Sequence, residues 1–385
     1  MLQELTISHS YKRTSRIAVS ALFFLTGLCF ASWASRIPAI QEKLHLSEGA
    51  LGGMLLALPI GSILSMPVAG VLVDKYGSRQ VLMLAGLLYA GVLPTLGLAA
   101  TSWQLFGCLV VFGFCGNMAN IAVNTQAVLV EAMYGRSIMA SFHGLWSLGG
   151  FAGASIGSGM GALRVLPYQH FLLIMVLAII IVGVAIRYAV AQDAPATQEK
   201  TPLFAWPDKI LLTLGVIAFC SMICEGTMFD WSGVYFKKVI GAPPETAGLG
   251  YNAFMCTMAG FRFIADFLTV RFGTKRVLQL SGALTAGGLL IAVLFPYFNT
   301  AILGFLLVGA GVSSVVPLVY SAAGRSMPSS PGRALASVST IGYLGFLAGP
   351  PLIGLIAQAT SLRISFSVIA VMGMCIAVMS KKVKA

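Results

Sequence analysis

The side chains that could do chemistry are few, and most lie in long apolar surroundings. Glu225 falls about 16 residues into a helix predicted over 209–236, roughly 24 Å from its start at 1.5 Å per residue. A carboxyl group at that depth is desolvated, which suits a group that alternately takes and releases a proton; hydrogen bonding to a solute and structural pairing are the other readings. Asp230 lies five residues on, about 140° around the same helix, with Arg36 at similar depth on the first helix as its expected partner. Asn117, Asn120, Asn124 and Glu131 recur at spacings of three, four and seven, which keeps them on one helix face. Amides are costly against lipid, so this stripe is expected to line a cavity, with Asn120 central, or to bond another helix. Glu131 belongs to the helix end near Arg136. His143 and Trp146, one turn apart, form either a packing pair or a stacking platform for a sugar ring. Trp33 and Trp231 read as interfacial belt anchors or as cavity gates.

What is missing narrows the function. The seven cysteines all fall in apolar segments without metal-ligand spacing, and no nucleophile–base pair can be assigned. The expectation is a protein that is not an enzyme and carries no cofactor or metal. The chain of 385 residues is 58% hydrophobic and 9% charged, against roughly 25% charged for an ordinary soluble domain. Apolar stretches such as Ile17–Trp33 and Val81–Ala100 approach the roughly 20 residues needed to cross a bilayer. Punctuation by Gly, Pro and charge clusters gives twelve spans, about 17–39, 49–73, 79–100, 103–131, 136–163 and 168–190, then 209–236, 245–270, 275–296, 299–323, 332–358 and 361–380.

The net charge of +12 invites a nucleic-acid partner until its distribution is read. With the N-terminus inside, 17 basic residues fall on the cytoplasmic side and 6 on the outer side, while Arg262 lies within a helix. This is a topology signal that places both termini in the cytoplasm of a cell inner membrane and argues against nucleic acid. A polar, Pro-bearing linker over 191–208 divides the chain into halves 1–190 and 209–385. Offsets of 196 to 198 superpose Trp33 on Trp231, Gly77 on Gly273, Gly113 on Gly309 and Gly149 and Gly153 on Gly345 and Gly349. The repeat predicts two six-helix bundles of the same topology facing one another across a central cavity. Within the first, Gly149, Gly153, Gly157 and Gly161 form a small-residue stripe expected to pack closely on a neighbour.

Between the second and third spans stands Gly70-Val-Leu-Val-Asp74-Lys-Tyr-Gly77-Ser-Arg79, with a degenerate copy containing Arg262, Asp266, Arg271 and Gly273 in the second half. This motif, in that loop of a twofold-repeated chain, resembles the signature of the major facilitator superfamily. Segments around Trp33, His143 and Glu225 look like a branch near the fucose permease. The resemblance implies an all-α membrane fold of twelve helices and a gating role for the signature loop. Gly70 would let the second helix approach a neighbour and Gly77 would allow a tight turn. Asp74 would face the free amides at the start of the eleventh helix, Gly332–Ala334, beside Arg333. Asp266, four residues after Arg262, leaves a local ion pair or a gating role open.

The resemblance implies a monomeric, lipid-embedded secondary transporter of a small-molecule substrate. Fucose-permease-like members use acids in the first and fourth helices; this chain has neither in the hydrocarbon core, so proton coupling is assigned to Glu225. The fifth helix lacks the Gly-Pro signature of drug antiporters, which favours a symporter of a small polar solute such as a sugar. An exporter of amphipathic compounds and a non-transporting sensor are the alternatives.

The topology is testable directly. In a cysteine-free, functional background, a single cysteine at Gln198 is expected to react only from the cytoplasm and one at Thr246 only from outside. Outside labelling at Gln198 would break the two-bundle arrangement.

Overall fold

The computed structural model describes residues 9–135, 138–191, 209–326 and 331–383; nearly all of the predicted linker, and Arg136, lie outside them. The side chains of Asp266 and Arg333 are likewise outside the description. Hydrocarbon offers the backbone no hydrogen bonds, so the described chain runs almost wholly in helices that satisfy their own amides.

The first half comprises α1 (His9–Ala34), α2 (Ile37–Lys43), α3 (Glu48–Leu55), α4 (Ala57–Tyr76), α5 (Ser78–Leu98), α6 (Ser102–Tyr134), α7 (Met139–Ala162) and α8 (Pro167–Ala185). The second comprises α9 (Lys209–Lys238), α10 (Leu249–Phe272), α11 (Thr274–Leu294), α12 (Phe298–Val312), α13 (Val315–Ser326), α14 (Pro331–Ala359) and α15 (Leu362–Met379). Short α2 extends the first span, α3 and α4 share the second, and α12 and α13 share the tenth. Ten spans among the described residues are long and apolar enough to cross a membrane. The other two, α7 and α10, are 24 residues each, or about 36 Å. The first is less apolar because it is rich in Gly and Ser, and α10 turns Asn252 and Arg262 toward Ser155 and Ser147 of the other bundle.

The repeat seen in the sequence is a repeat of contacts. Gly77 and Gly273 hold the same left-handed-side backbone, φ 82° with ψ 149° and φ 81° with ψ 149°, and each turns one span into the next. Only glycine adopts such a φ without strain. A Cβ on Gly113 would strike the Leu58 carbonyl, and one on Gly309 the Phe254 carbonyl, a pair related by the same offset. Gly149 and Gly153 lie against the Phe24 and Leu28 carbonyls of α1, as Gly345 and Gly349 lie against Phe219 and Ile223 of α9. Small residues thus let α7 sit on α1 and α14 on α9 at near-backbone contact.

The two bundles meet at one end and part at the other. At the predicted outer end, Gly52 of α3 packs on the Pro350–Gly354 backbone of α14, and Ser155 of α7 donates to Asn252 of α10 at 3.1 Å. Three ion pairs bridge the bundles there: Lys237 with Glu42, Lys238 with Glu48 at 2.6 Å, and Arg164 with Glu245 at 3.0 Å. All are partly exposed, so each is weak and their role is to register the closed mouth. Glu245 lies outside the spans, and its carboxyl is held below the usual carboxylate range by its own backbone amide and by Arg164. Toward the end that carries the termini, α4 diverges from α14. Gly70 there has open space where a Cβ would stand, so the close approach expected of it is not made in this conformation. Asp74 is exposed and has no hydrogen bond among the described residues.

Packing contrast gives a stability test. Gly149→Leu should force α7 off the α1 backbone and cost about 1–3 kcal/mol, the usual range for overpacking. Gly159→Ala, on the same helix but with nothing within 4 Å of the added carbon, should be near neutral. Thermal unfolding of the detergent-purified variants reads the difference; equal melting temperatures would remove the close-packing account.

Candidate functional site

A central cavity of about 280 Å³ lies between the bundles, lined by residues of α1, α4, α5, α6 and α7 on one side and α9 and α14 on the other. Its wall is largely aromatic. Trp146 of α7 packs against Phe30 of α1 with centroids 6.1 Å apart and edge-on against Phe229 of α9 at 6.3 Å. Tyr343 and Phe346 of α14 close the opposite side.

The chemistry of this cavity is set by one buried ion pair. Glu225 Oε1 and Arg262 Nη2 stand 3.1 Å apart, with 12% and 15% of their side chains exposed. The guanidinium is held on every side. Nη1 donates to Ser147 Oγ of α7 at 2.7 Å, and Nε donates to the Ser313 carbonyl at 3.4 Å. That carbonyl is free to accept because α12 stops at Val312 and α13 starts at Val315. The guanidinium also lies 5.7 Å from the Trp146 ring centroid, a cation–π distance. One arginine on α10 therefore ties α7 of the first bundle to α9 and the α12–α13 break of the second.

The sequence singled out both ends of this pair without joining them. Glu225 was assigned by depth; Arg262 was assigned to a face shared with Asp266. Among the described residues, the donors of Arg262 reach Glu225, Ser147 and Ser313. The signal was present in Arg262 being a basic residue far from any helix end, since a buried cation demands a buried anion.

The asparagine stripe divides. Asn117 lines the cavity edge while donating to the Ser62 carbonyl at 2.9 Å and Ser65 Oγ at 2.8 Å, stapling α6 to α4. Asn120 lines the cavity and receives a bond from Asn124 at 3.1 Å, which points its remaining groups inward. Glu131 accepts from the Ile138 and Met139 amides at 2.7 and 2.9 Å, capping the start of α7. Arg79 donates to the carbonyls of Ile186 at 2.9 Å and Arg187 at 3.3 Å, anchoring α5 to the end of α8. His143 is exposed and meets Phe23 edge-on at 5.4 Å, so it forms no platform with Trp146.

Two expectations need correction. Arg36 does not pair with Asp230; its guanidinium donates to the carbonyl of Gly157 within α7 and to that of Val165 in the turn after it, which satisfies the buried cation without a carboxylate. Trp33 and Trp231 are not belt anchors. They are 1% and 0% exposed inside the bundles and line no part of the central cavity, whereas Trp103, 82% exposed, has the belt position. Hydrophobic packing, not the interface, claimed the repeat-matched pair. Among the described residues no cluster of His, Cys, Asp and Glu could hold a metal ion.

The ion pair predicts an asymmetric mutational response. Arg262→Ala leaves a buried carboxylate alone and should destabilise by about 3–5 kcal/mol, whereas the double variant Arg262→Met with Glu225→Gln should recover most of that loss. Thermal unfolding of the two singles and the double reads the cycle, and additive losses would mean the two groups are not coupled.

Comparison with known proteins agrees with this geometry. The family model described as Major Facilitator Superfamily matches residues 19–243 and 214–383. An uncharacterised transporter of this type from Yersinia pestis is 36% identical over 370 residues, covering 96% of each chain. Two solved structures share the fold at low identity. A nucleoside transporter, NupG, aligns with a TM-score of 0.76 at 12% identity, covering 96% of this chain and 99% of that one. A D-xylose–proton symporter aligns with a TM-score of 0.76 at 15% identity, covering 98% of each.

Proposed function

The chain belongs to the major facilitator superfamily, and from that premise we propose that it carries a small polar solute with a ring, of the sugar class, across the cell inner membrane in symport with protons. Both termini then lie in the cytoplasm, and the conformation described is open to the inside. The observation that carries the reading is Glu225, paired with buried Arg262, in the wall of an aromatic cavity. A ring can stack on Trp146 while its hydroxyls exchange hydrogen bonds with Asn120 and with the ion pair. The cavity volume, about 280 Å³, is near the lower limit of ligand sites (about 300–1,000 Å³), which favours a monosaccharide-sized solute over a large one. The fold neighbours named for D-xylose and for nucleosides are in keeping with this class.

Coupling follows from what a proton does to the pair. Glu225 as a carboxylate holds Arg262 against α9; as a neutral acid it cannot, and the guanidinium is released to Ser147 and Trp146 of the opposite bundle. A solute that bonds either partner therefore competes with the same contact that the proton breaks, and both bias the approach of α10 to α7. The signature residues Gly70, Asp74 and Arg333 take part at the cytoplasmic mouth when it closes. The aromatic wall favours a second reading, export of amphipathic compounds.

A thermal-shift panel of sugars, sugar acids and amphipathic drugs separates the two, since a ligand at 100 times its Kd stabilises by about 2.7 kcal/mol. In proteoliposomes loaded with the sugar that binds, Glu225→Gln is expected to lose accumulation driven by a pH gradient while retaining counterflow exchange. A Gln variant that still concentrates the solute down an imposed proton gradient removes Glu225 as the proton carrier.

A further inference from the structure

Asp230 is the deep acid that the ion pair leaves over. It lies five residues beyond Glu225 on α9, about 7.5 Å further toward the outer mouth. It is 9% exposed, and among the described residues nothing donates to it or pairs with it. Its place on the helix is fixed by its neighbours at i−4 and i+3. A Cβ on Gly226 would lie 3.4 Å from Phe346 of α14, and one on Gly233 would lie 2.9 Å from Pro38 of α2. Asp230 shares that face, so it sits where α9 of the second bundle meets α2 of the first, between the solute cavity and the Lys237–Glu42 ion pair that closes the outer mouth.

The described cations around α9 are otherwise engaged. Tyr251 of α10 is within electrostatic reach of Asp230; its ring packs edge-on against neighbouring Phe229, and its buried hydroxyl has no partner. Glu225 and Arg262 hold each other. On α2, Glu42 pairs with Lys237 and Lys43 donates to the Gly97 carbonyl. Arg36, in the turn before α2, is bound to the Gly157 and Val165 carbonyls, and Arg363 of α15 to the Val293 carbonyl. Tyr343 of α14 lines the cavity, and Tyr320 of α13 lies in the Glu225 half of the bundle. From α1, Cys29 is the only ionisable side chain at this depth, and α12 has none. Among the described residues, no cation stands ready to neutralise Asp230 once the mouth is shut.

We propose that Asp230 is a proton-binding site of the outer gate: the mouth closes over it in the protonated form and is held open by its carboxylate. An unpaired carboxylate is costly to bury, whereas a neutral acid of the same shape is not. With the mouth open, α2 of the first bundle moves off the Asp230 face of α9 and the group exchanges protons with the outside. Low external pH then favours closure with a proton on board. The Arg164–Glu245 pair gives no such response at mildly acid pH, because Glu245 keeps its charge there. This rests on the proton-coupled reading but assigns the gate to a residue other than Glu225.

The test labels the mouth. In a background lacking the seven native cysteines, spin labels at Ala50→Cys and Thr360→Cys, both exposed on opposite bundles, report mouth width by pulsed electron resonance in lipid nanodiscs. Between about pH 5.5 and about 8.5 the closed-to-open ratio should fall with rising pH by up to about tenfold per unit, the limit for one proton. Asp230→Asn should stay closed throughout, with less than about a twofold change over the range. Asp230→Glu should restore the response, which also establishes that the site is folded, and Glu225→Gln should keep it. A pH response undiminished in Asp230→Asn, or absent in wild type, overturns the proposal. A response lost in Glu225→Gln but kept in Asp230→Asn overturns it in favour of Glu225. Proton-driven uptake by the same proteins, measured separately, decides the symport reading itself.

Discussion

A hydrocarbon interior solvates neither a peptide group nor a charge, and nearly every feature of this chain is a response to that fact. The backbone answers it by running in helices. The side chains answer it by pairing. Arg262 finds Glu225, a serine hydroxyl, a carbonyl exposed by a broken helix and an indole face. Asn117 finds the α4 backbone, and Arg36 finds one carbonyl within α7 and one in the turn after it. Each polar group is thereby a statement about which helices must be adjacent.

The same constraint shapes the seam between the bundles. Contacts between the bundles are of two kinds. At the outer mouth they are glycine-mediated backbone contacts and partly exposed ion pairs, which water can replace at little cost when the mouth opens. At the centre they are buried and polar, and nothing replaces them except another buried polar group, such as a solute hydroxyl or a proton. A rocking transporter needs weak, replaceable contacts at its ends and exchangeable, strongly specified ones in its middle, and the chain is built that way.

Rigid bundles are the other requirement, and glycine supplies them. The α1–α7 and α9–α14 interfaces rest on glycines at matched positions, each placed against a carbonyl of the facing helix. Contact at that range leaves little slack within a bundle, so motion is confined to the seam between the two. That the offsets relating Gly113 to Gly309 also relate the carbonyls they touch means the repeat encodes interfaces and not merely residues.

By itself the sequence determined everything that depends on local period and composition. Hydrophobic run length set the spans, basic residues at their ends gave the expected side of the termini, and the constant offset set the twofold bundle. Gly77 announced its turn because no other residue adopts that φ freely. Depth along a helix also identified Glu225 as an isolated acid, and spacing placed Asn120 on a polar face. What it left open were partnerships between helices, which local period does not encode. Arg262 could be assigned to Asp266 by spacing, or Arg36 to Asp230 by depth. Only tertiary packing decided that Arg262 reaches Glu225, that Arg36 turns to backbone carbonyls, and that Asp230 is left unpaired beneath the closed mouth. Trp33 and Trp231 fit an interfacial belt by position along their helices; which way they face is a rotation of each helix in its bundle, fixed by the glycine contacts of α1 with α7 and α9 with α14. A helix carries its depth in its sequence, but its azimuth and its neighbours come from the packing of the whole.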